Sequence, residues 1–181
     1  VGTVFIDISM PALGPLQSDG GRSVAGLATT LPFANNSFDL LCAMDIVEHV
    51  ADDDAVFAEL SRVAASGAVL LLSVPLHPSA WTAFDEAVGH HRRYKPAALV
   101  DALAVHGFTV ERSAPAGMLP RSSKLLSVGM WFLQHRRARA MWWYNRVFMP
   151  FGLRRAPALV LQDGMVDPSG LAGVLLVCRR A

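Results

Sequence analysis

The densest group of ionisable side chains in the chain is Asp85, Glu86, His90, His91, Arg92, Arg93 and Tyr94. Adjacent histidines among carboxylates and arginines suit proton transfer near neutral pH and the holding of a polar acceptor. His90 is therefore a candidate acid–base group, and Glu86, Arg93 and Tyr94 are candidates for binding a substrate. The same residues would also make a structural lid whose charges pair among themselves. A second polar group, Asp45, Glu48 and His49, lies just after an apolar run. His49 is a second candidate base, and the plain alternative is that Glu48 and His49 merely open a helix. Asp7 ends another apolar run, where its two carboxylate oxygens could accept two hydroxyls at once or simply cap a turn. No metal site is read from the sequence.

These groups need elements to position them. Val4 to Ile8 suits a short buried strand followed by a Pro-Gly turn, and Ser23 to Gly26 is a weaker strand candidate. Phe38 to Met44 is the next strand, entered through the turn residues Asn35, Asn36 and Ser37. Asp52, Asp53 and Asp54 provide an N-cap and an acidic first turn for a helix in which Val56, Leu60 and Val63 recur at helical spacing. Gly67 to Val74 is almost free of polar residues, as expected of a strand buried on both faces. Pro96 can open a helix that Gly107 ends, and Thr109 to Arg112 and Leu171 to Cys178 read as two further strands. The alternation predicts an α/β fold with a Rossmann-like, doubly wound, mostly parallel sheet.

At 181 residues and 52% hydrophobic content the chain suits a single domain, with core elements over residues 1–115 and the last strand over 169–181. Between them, residues 116–168 form an expected helical insertion. The net charge of +1 hides a division: residues 1–112 carry 6 basic and 13 acidic groups, whereas residues 113–181 carry 10 and 2. Trp142, Trp143, Phe148 and several leucines accompany Arg136, Arg137, Arg139 and Arg146 in the insertion. That composition fits a cap packed over the sheet, or an element lying against lipid through residues 121–155. No apolar run approaches the roughly 20 residues needed to cross a bilayer. Cys42 and Cys178 both fall in runs that read as buried strands, and nothing at Val1 resembles a secretory signal, so a reduced, cytoplasmic setting is expected, with peripheral contact at the inner membrane face.

The run LPFANNSFDLLCAMDIVEHV, Leu31 to Val50, resembles the segment around the fourth strand of class I AdoMet-dependent methyltransferases of the type 11 branch. VPLHPSAWTAFDEAVGHHRRY, Val74 to Tyr94, is similar to the segment after the fifth strand in a bacterial subset of these enzymes. Together the two matches extend the resemblance over about residues 1–115. It implies S-adenosyl-L-methionine (AdoMet) as cofactor and an antiparallel last strand. It also implies that Asp7 binds the ribose hydroxyls, that Ala28 and Leu31 lie beside the adenine, and that Ala43, Met44 and Asp45 line the cofactor pocket. The family's glycine-rich turn would precede Val1, so the domain is expected to be incomplete at its N-terminus, to bind AdoMet weakly and to self-associate. The family's usual adenine-binding acid is also replaced, by Leu27.

The implied reaction is methyl transfer to a small-molecule or lipid-linked acceptor. No nucleic-acid-binding module is visible. Two rivals stand beside that reading. One is a non-catalytic remnant that binds a partner or membrane through its basic insertion. The other is a nicotinamide-dependent Rossmann enzyme, which would account for Asp7 but not for LPFANNSFDLL or the Glu48-His49 pair.

Overall fold

The computed structural model describes residues 2–18, 20–117, 128–129, 131–132, 135–155 and 158–181. Strands β1 (Val4–Asp7) and β2 (Arg22–Ala25) pair in parallel as a two-stranded sheet. The remaining strands are β3 (Phe38–Met44), β4 (Ala64–Pro75), β5 (Phe108–Ala116), β6 (Gln162–Asp163) and β7 (Gly173–Arg180), and they form a second sheet in the order β3-β4-β7-β5-β6. β3 and β4 are parallel, whereas β7 runs antiparallel between β4 and β5, in register from Val69 opposite Arg179 to Pro75 opposite Gly173. The expected reversed last strand is therefore present, at the expected place. Its run Gly173-Val-Leu-Leu-Val-Cys178 has no polar side chain, which suits a strand with a partner on each side.

Helix α1 (Met10–Ser18) occupies the stretch where the sequence suggests a Pro-Gly turn. Pro11 sits in the first turn, where its missing N–H is harmless, and Leu13 supplies the buried anchor. α2 (Asp53–Val63) begins as expected, with the Asp52 carboxylate accepting the Ala55 N–H at 3.0 Å. It buries Val56, Phe57, Leu60 and Val63 as one face. At about 1.5–3 kcal/mol for each large apolar side chain, this stripe holds α2 on the sheet. α3 (Ala83–Val88) starts with a capping box between Thr82 and Asp85 and ends at Gly89, whose φ of 82° is left-handed. α4 (Pro96–Val105) has proline at its start, and Gly107 follows it at φ 75°.

Three local expectations are corrected. Glu48 and His49 do not open a helix: they lie in a separate 3-10 turn, Val47–His49, because Asp52 and not Glu48 caps α2. Cys178 is buried, but Cys42 is exposed on β3, beside Leu40 and Met44 on the same uncovered face. β1 is only partly buried.

In the insertion, α5 (Arg137–Trp143) continues through a π-helical turn, Tyr144–Phe148, into α6 (Met149–Arg155). Trp142 and Phe148 are 55% and 63% exposed, and nothing in Arg137–Phe148 is buried, so this part is not packed as a cap. The earlier helix expected around Leu125 to Leu133 lies mostly outside the described residues. Among the described residues, no helix is long and apolar enough to cross a membrane.

Candidate active site

The carboxyl ends of β1, β3 and β4 are where an open α/β sheet receives ligands. At the end of β1, Asp7 is half-buried and its Oδ1 accepts the Ser9 N–H at 2.7 Å. Its Oδ2 has no partner among the described residues. The Gly26 N–H donates to the Asp7 carbonyl at 3.1 Å, which ties the end of β2 to that of β1. A Cβ on Gly26 would come within 2.9 Å of Ile6 Cδ1, so a larger residue there would have to displace the end of the Ile6 side chain.

The loop after β2 is pinned from α2. Glu59 Oε2 accepts the Leu31 N–H at 2.6 Å, and Arg62 donates to the carbonyls of Leu31 and Phe33 at 2.9 and 2.8 Å and to Asn35 Oδ1 at 2.8 Å. Arg62 and Glu59 also pair at 2.6 Å, and the hydrogen bond from Arg62 holds the Glu59 carboxyl below its ordinary range. Sequence reasoning missed both residues. Their i,i+3 spacing marks a helix-surface ion pair, but nothing local indicates that the pair reaches back 28 positions to Leu31. With its N–H occupied, Leu31 offers the site an apolar side chain and not a donor. Ala28 is half-buried, and Leu27 is exposed.

At the end of β3, Ala43 is buried and Met44 half-exposed, and Asp45 has φ 51°, unusual for a residue with a side chain. Ser73 on β4 holds that turn. Its carbonyl and Oγ each receive the Asp45 N–H at 3.0 Å, and its hydroxyl donates to Asp45 Oδ1 at 3.0 Å. His77, just beyond β4, is also left-handed at φ 61°. Strained backbone thus flanks the same rim on adjacent strands.

Glu48 is fully buried, and neither carboxylate oxygen has a hydrogen-bond partner among the described residues. Burial, with the charge of Asp45 adding to it, pushes its carboxyl up to about 7. His49 and His90 meet edge to face with ring centroids 4.6 Å apart, and His90 Nε2 lies 4.0 Å from Glu48 Oε1. Burial, and the neighbouring His90, lower the His49 pKa against the opposing effects of the Gly89 carbonyl and Asp45. His90 Nδ1 is 2.8 Å from Asp85 Oδ1. Asp85, itself fully buried, accepts from Arg93 at 2.8 and 3.0 Å and from the Thr82 N–H at 2.8 Å. Burial alone would raise its carboxyl, but the bonds from Arg93, Thr82 and His90 hold it down at about 2.

The structure therefore brings His49 and His90 together, with Glu48, the neighbour of His49 in the 3-10 turn, beside His90. It commits Arg93 and Tyr94 elsewhere. Arg93 is bound to Asp85, and the Tyr94 hydroxyl donates to Asp53 at 2.9 Å. Glu86 is exposed, with Trp81 Nε1 at 3.4 Å. Asp85, present in the sequence as one of many ionisable groups, is the residue that fixes His90. The Thr82-x-x-Asp85 spacing was its legible signal. Two surface concavities of about 540 and 530 Å³ contain none of the rim groups, so the site is identified by its chemistry.

Residues 3–72 match the family described as a methyltransferase domain. Over 60 residues the chain is 38% identical to an uncharacterised methyltransferase of Mycobacterium sp. strain JLS, a match covering 33% of this chain and 24% of that relative. The match thus spans about a quarter of the curated relative's length. Among solved structures, a SAM-dependent methyltransferase of Thermotoga maritima superposes with a TM-score of 0.67 at 14% identity, covering 99% of this chain and 73% of the other. The cyclase SpnF superposes with 0.61 at 16% identity, covering 99% and 66%. The fold is that of the class I AdoMet-dependent methyltransferases. The likeness in sequence to the methyltransferase-domain family lies within residues 3–72.

Proposed function

We propose that the protein transfers a methyl group from AdoMet to a small-molecule or lipid-linked acceptor. One observation carries this reading: the family match spans the groups from Asp7 to Asp45 that the fold sets at strand ends. The residues fit the cofactor. Asp7 keeps one carboxylate oxygen without a partner among the described residues, available to a ribose hydroxyl, and the loop containing Ala28 and Leu31 is tied by Glu59 and Arg62 for the adenine. With leucine at position 27, adenine recognition falls to main-chain groups near Ala28 and to apolar contact. Ala43, Met44 and Asp45 form the rim on the side of the methionine portion.

AdoMet, when bound, supplies the activated methyl as a sulfonium. The protein's task is alignment and exclusion of water. His49 lies near Asp45 on the rim and His90 packs against His49, where their ring nitrogens suit an acceptor O–H or N–H. Asp85 and Arg93 keep the His90 ring in place.

The insertion supports this acceptor class. Exposed Trp142, Trp143 and Phe148 beside Arg137, Arg139 and Arg146 have the composition of an element seated in an anionic lipid interface. That supports peripheral membrane contact and an acceptor presented there. A non-catalytic role, in which the chain binds a partner or membrane through its basic insertion, is the second reading, favoured by the exposure of Trp142, Trp143 and Phe148 beside those arginines.

Incubation with methyl-tritiated AdoMet and a bacterial lipid and small-molecule extract separates the two. Methyl transfer is expected into the extract fraction. AdoMet binding without transfer to any fraction would favour the second reading. Asp7→Ala is expected to weaken AdoMet binding by about 1.5–3 kcal/mol, the scale of hydrogen bonds to a charged group, with folding unchanged. An unaltered affinity would reduce Asp7 to a turn residue.

A further inference from the structure

We propose that Glu48, His49 and His90 form a binding site for a divalent transition-metal cation. The argument starts from Glu48. A carboxylate removed wholly from solvent is costly unless hydrogen-bonded, ion-paired or metal-bound. Asp85, equally buried a short distance away, is satisfied by Arg93, Thr82 and His90. Neither oxygen of Glu48 has such a partner among the described residues.

The groups nearest it are ligands and not donors already in contact. One atom each from Glu48, His49 and His90 lies within 4.8 Å of the others, and His90 Nε2 stands 4.0 Å from Glu48 Oε1. That exceeds a hydrogen bond. Ligand atoms about 2.0–2.2 Å from one tetrahedral ion stand roughly 3.3–3.6 Å apart, a spacing these side chains reach by small rotations.

The surrounding shell is already arranged. His90 turns Nδ1 to Asp85 at 2.8 Å, leaving Nε2 directed toward Glu48, and a carboxylate behind a ligating imidazole is the usual way of fixing its tautomer and orientation. Arg93 and Thr82 fix Asp85 in turn. The 3-10 turn places Glu48 and His49 consecutively, while the His91 N–H donates to the Glu48 carbonyl at 2.7 Å and draws the His90 segment against that turn.

Two imidazoles and one carboxylate, with positions left open, suit Zn²⁺ or Fe²⁺; Mg²⁺ and Ca²⁺ favour oxygen ligands. His49 is exposed, so an ion here would keep open positions toward the rim. The inference does not depend on methyl transfer. If both hold, the ion and not the free imidazoles would meet the acceptor.

The test is calorimetric titration of chelator-treated protein with Zn²⁺, with Mg²⁺ as the comparison ion, and Co²⁺ absorption as a report of nitrogen ligation. One saturable Zn²⁺ site per chain is expected. Glu48→Gln and His90→Ala should each weaken it about 100-fold, Asp85→Asn about 10-fold through the orientation of His90, and the exposed His91→Ala less than about 3-fold. His49→Ala alters an exposed side chain, so it keeps the test decisive should a buried variant misfold by circular dichroism. Absence of saturable Zn²⁺ binding would overturn the proposal. So would affinity unchanged in His49→Ala and Glu48→Gln, which would place the ion on other histidines.

Discussion

The turn Val47–His49 and the start of helix Ala83–Val88 each bury a carboxylate, and they treat it in opposite ways. Asp85 receives every hydrogen bond its oxygens can use, from a guanidinium, a main-chain N–H, a hydroxyl and an imidazole. Glu48 receives none among the described residues, although two histidines stand beside it. The sequence presents them as members of two separate polar groups and gives no sign of the difference. The partnered group holds the local structure together, and the unpartnered one is free to meet something that binds.

The largest effect expected from this contrast is at Asp85. Asp85→Ala leaves Arg93 buried without its partner and should cost about 3–5 kcal/mol in a denaturant melt. A loss below about 1 kcal/mol would mean that the network is decorative. The same carboxyl gives a pH signature. Its folded pKa, about 2, lies below the ordinary value of 3.8, so the unfolded chain takes up its proton first as pH falls. The stability it contributes is complete above about pH 4 and fades between there and pH 2. Asp85→Asn should flatten that part of the stability curve, and an unchanged acid slope would contradict the assignment.

A smaller change, of the opposite sign, is expected at Glu48. In metal-free protein at pH 8, Glu48→Gln removes a buried unpaired charge and should raise stability by roughly 1–2 kcal/mol. The sign follows from a folded pKa raised to about 7: this carboxyl costs stability as pH rises from about 4.5 through 7. A destabilised glutamine variant would show that the charged form has a partner after all.

The smallest effect on stability belongs to the insertion. Replacing Trp142 and Trp143 together by alanine should change unfolding free energy by less than about 0.5 kcal/mol, as usual for exposed positions. Binding to vesicles containing anionic lipid should nevertheless fall several-fold in a flotation assay. Equal binding by the variant, or equal binding to zwitterionic vesicles, would remove the membrane role.

Much of the fold was legible because long apolar runs and helix punctuation are local signals. β4, the reversed β7 and the Pro96-to-Gly107 helix follow from composition and caps, and the reversal of β7 from the resemblance. The helix Met10–Ser18 was hidden by Pro11 and Pro15, since prolines at those positions read equally as a turn. The candidate site was legible in its membership and not in its wiring. His49 and His90 are 41 positions apart, and only the crossing of Glu48 by the His91 segment brings them together. Arg93 and Tyr94 carry the right chemistry for an acceptor, yet tertiary contacts with Asp85 and Asp53 take up their polar atoms. Spacing cannot reveal which partner a charged side chain will choose.

The central claim is that AdoMet occupies the carboxyl ends of β1 and β3. Amide chemical-shift mapping by NMR, with AdoMet added up to millimolar concentration, tests it even where affinity is low. The account predicts progressive shifts at Asp7, Ala28, Leu31 and Ala43 to Asp45 in the wild-type protein, strongly reduced in Asp7→Ala, with the helices of Arg137–Arg155 unperturbed. Shifts confined to that insertion, or no response anywhere, would contradict it.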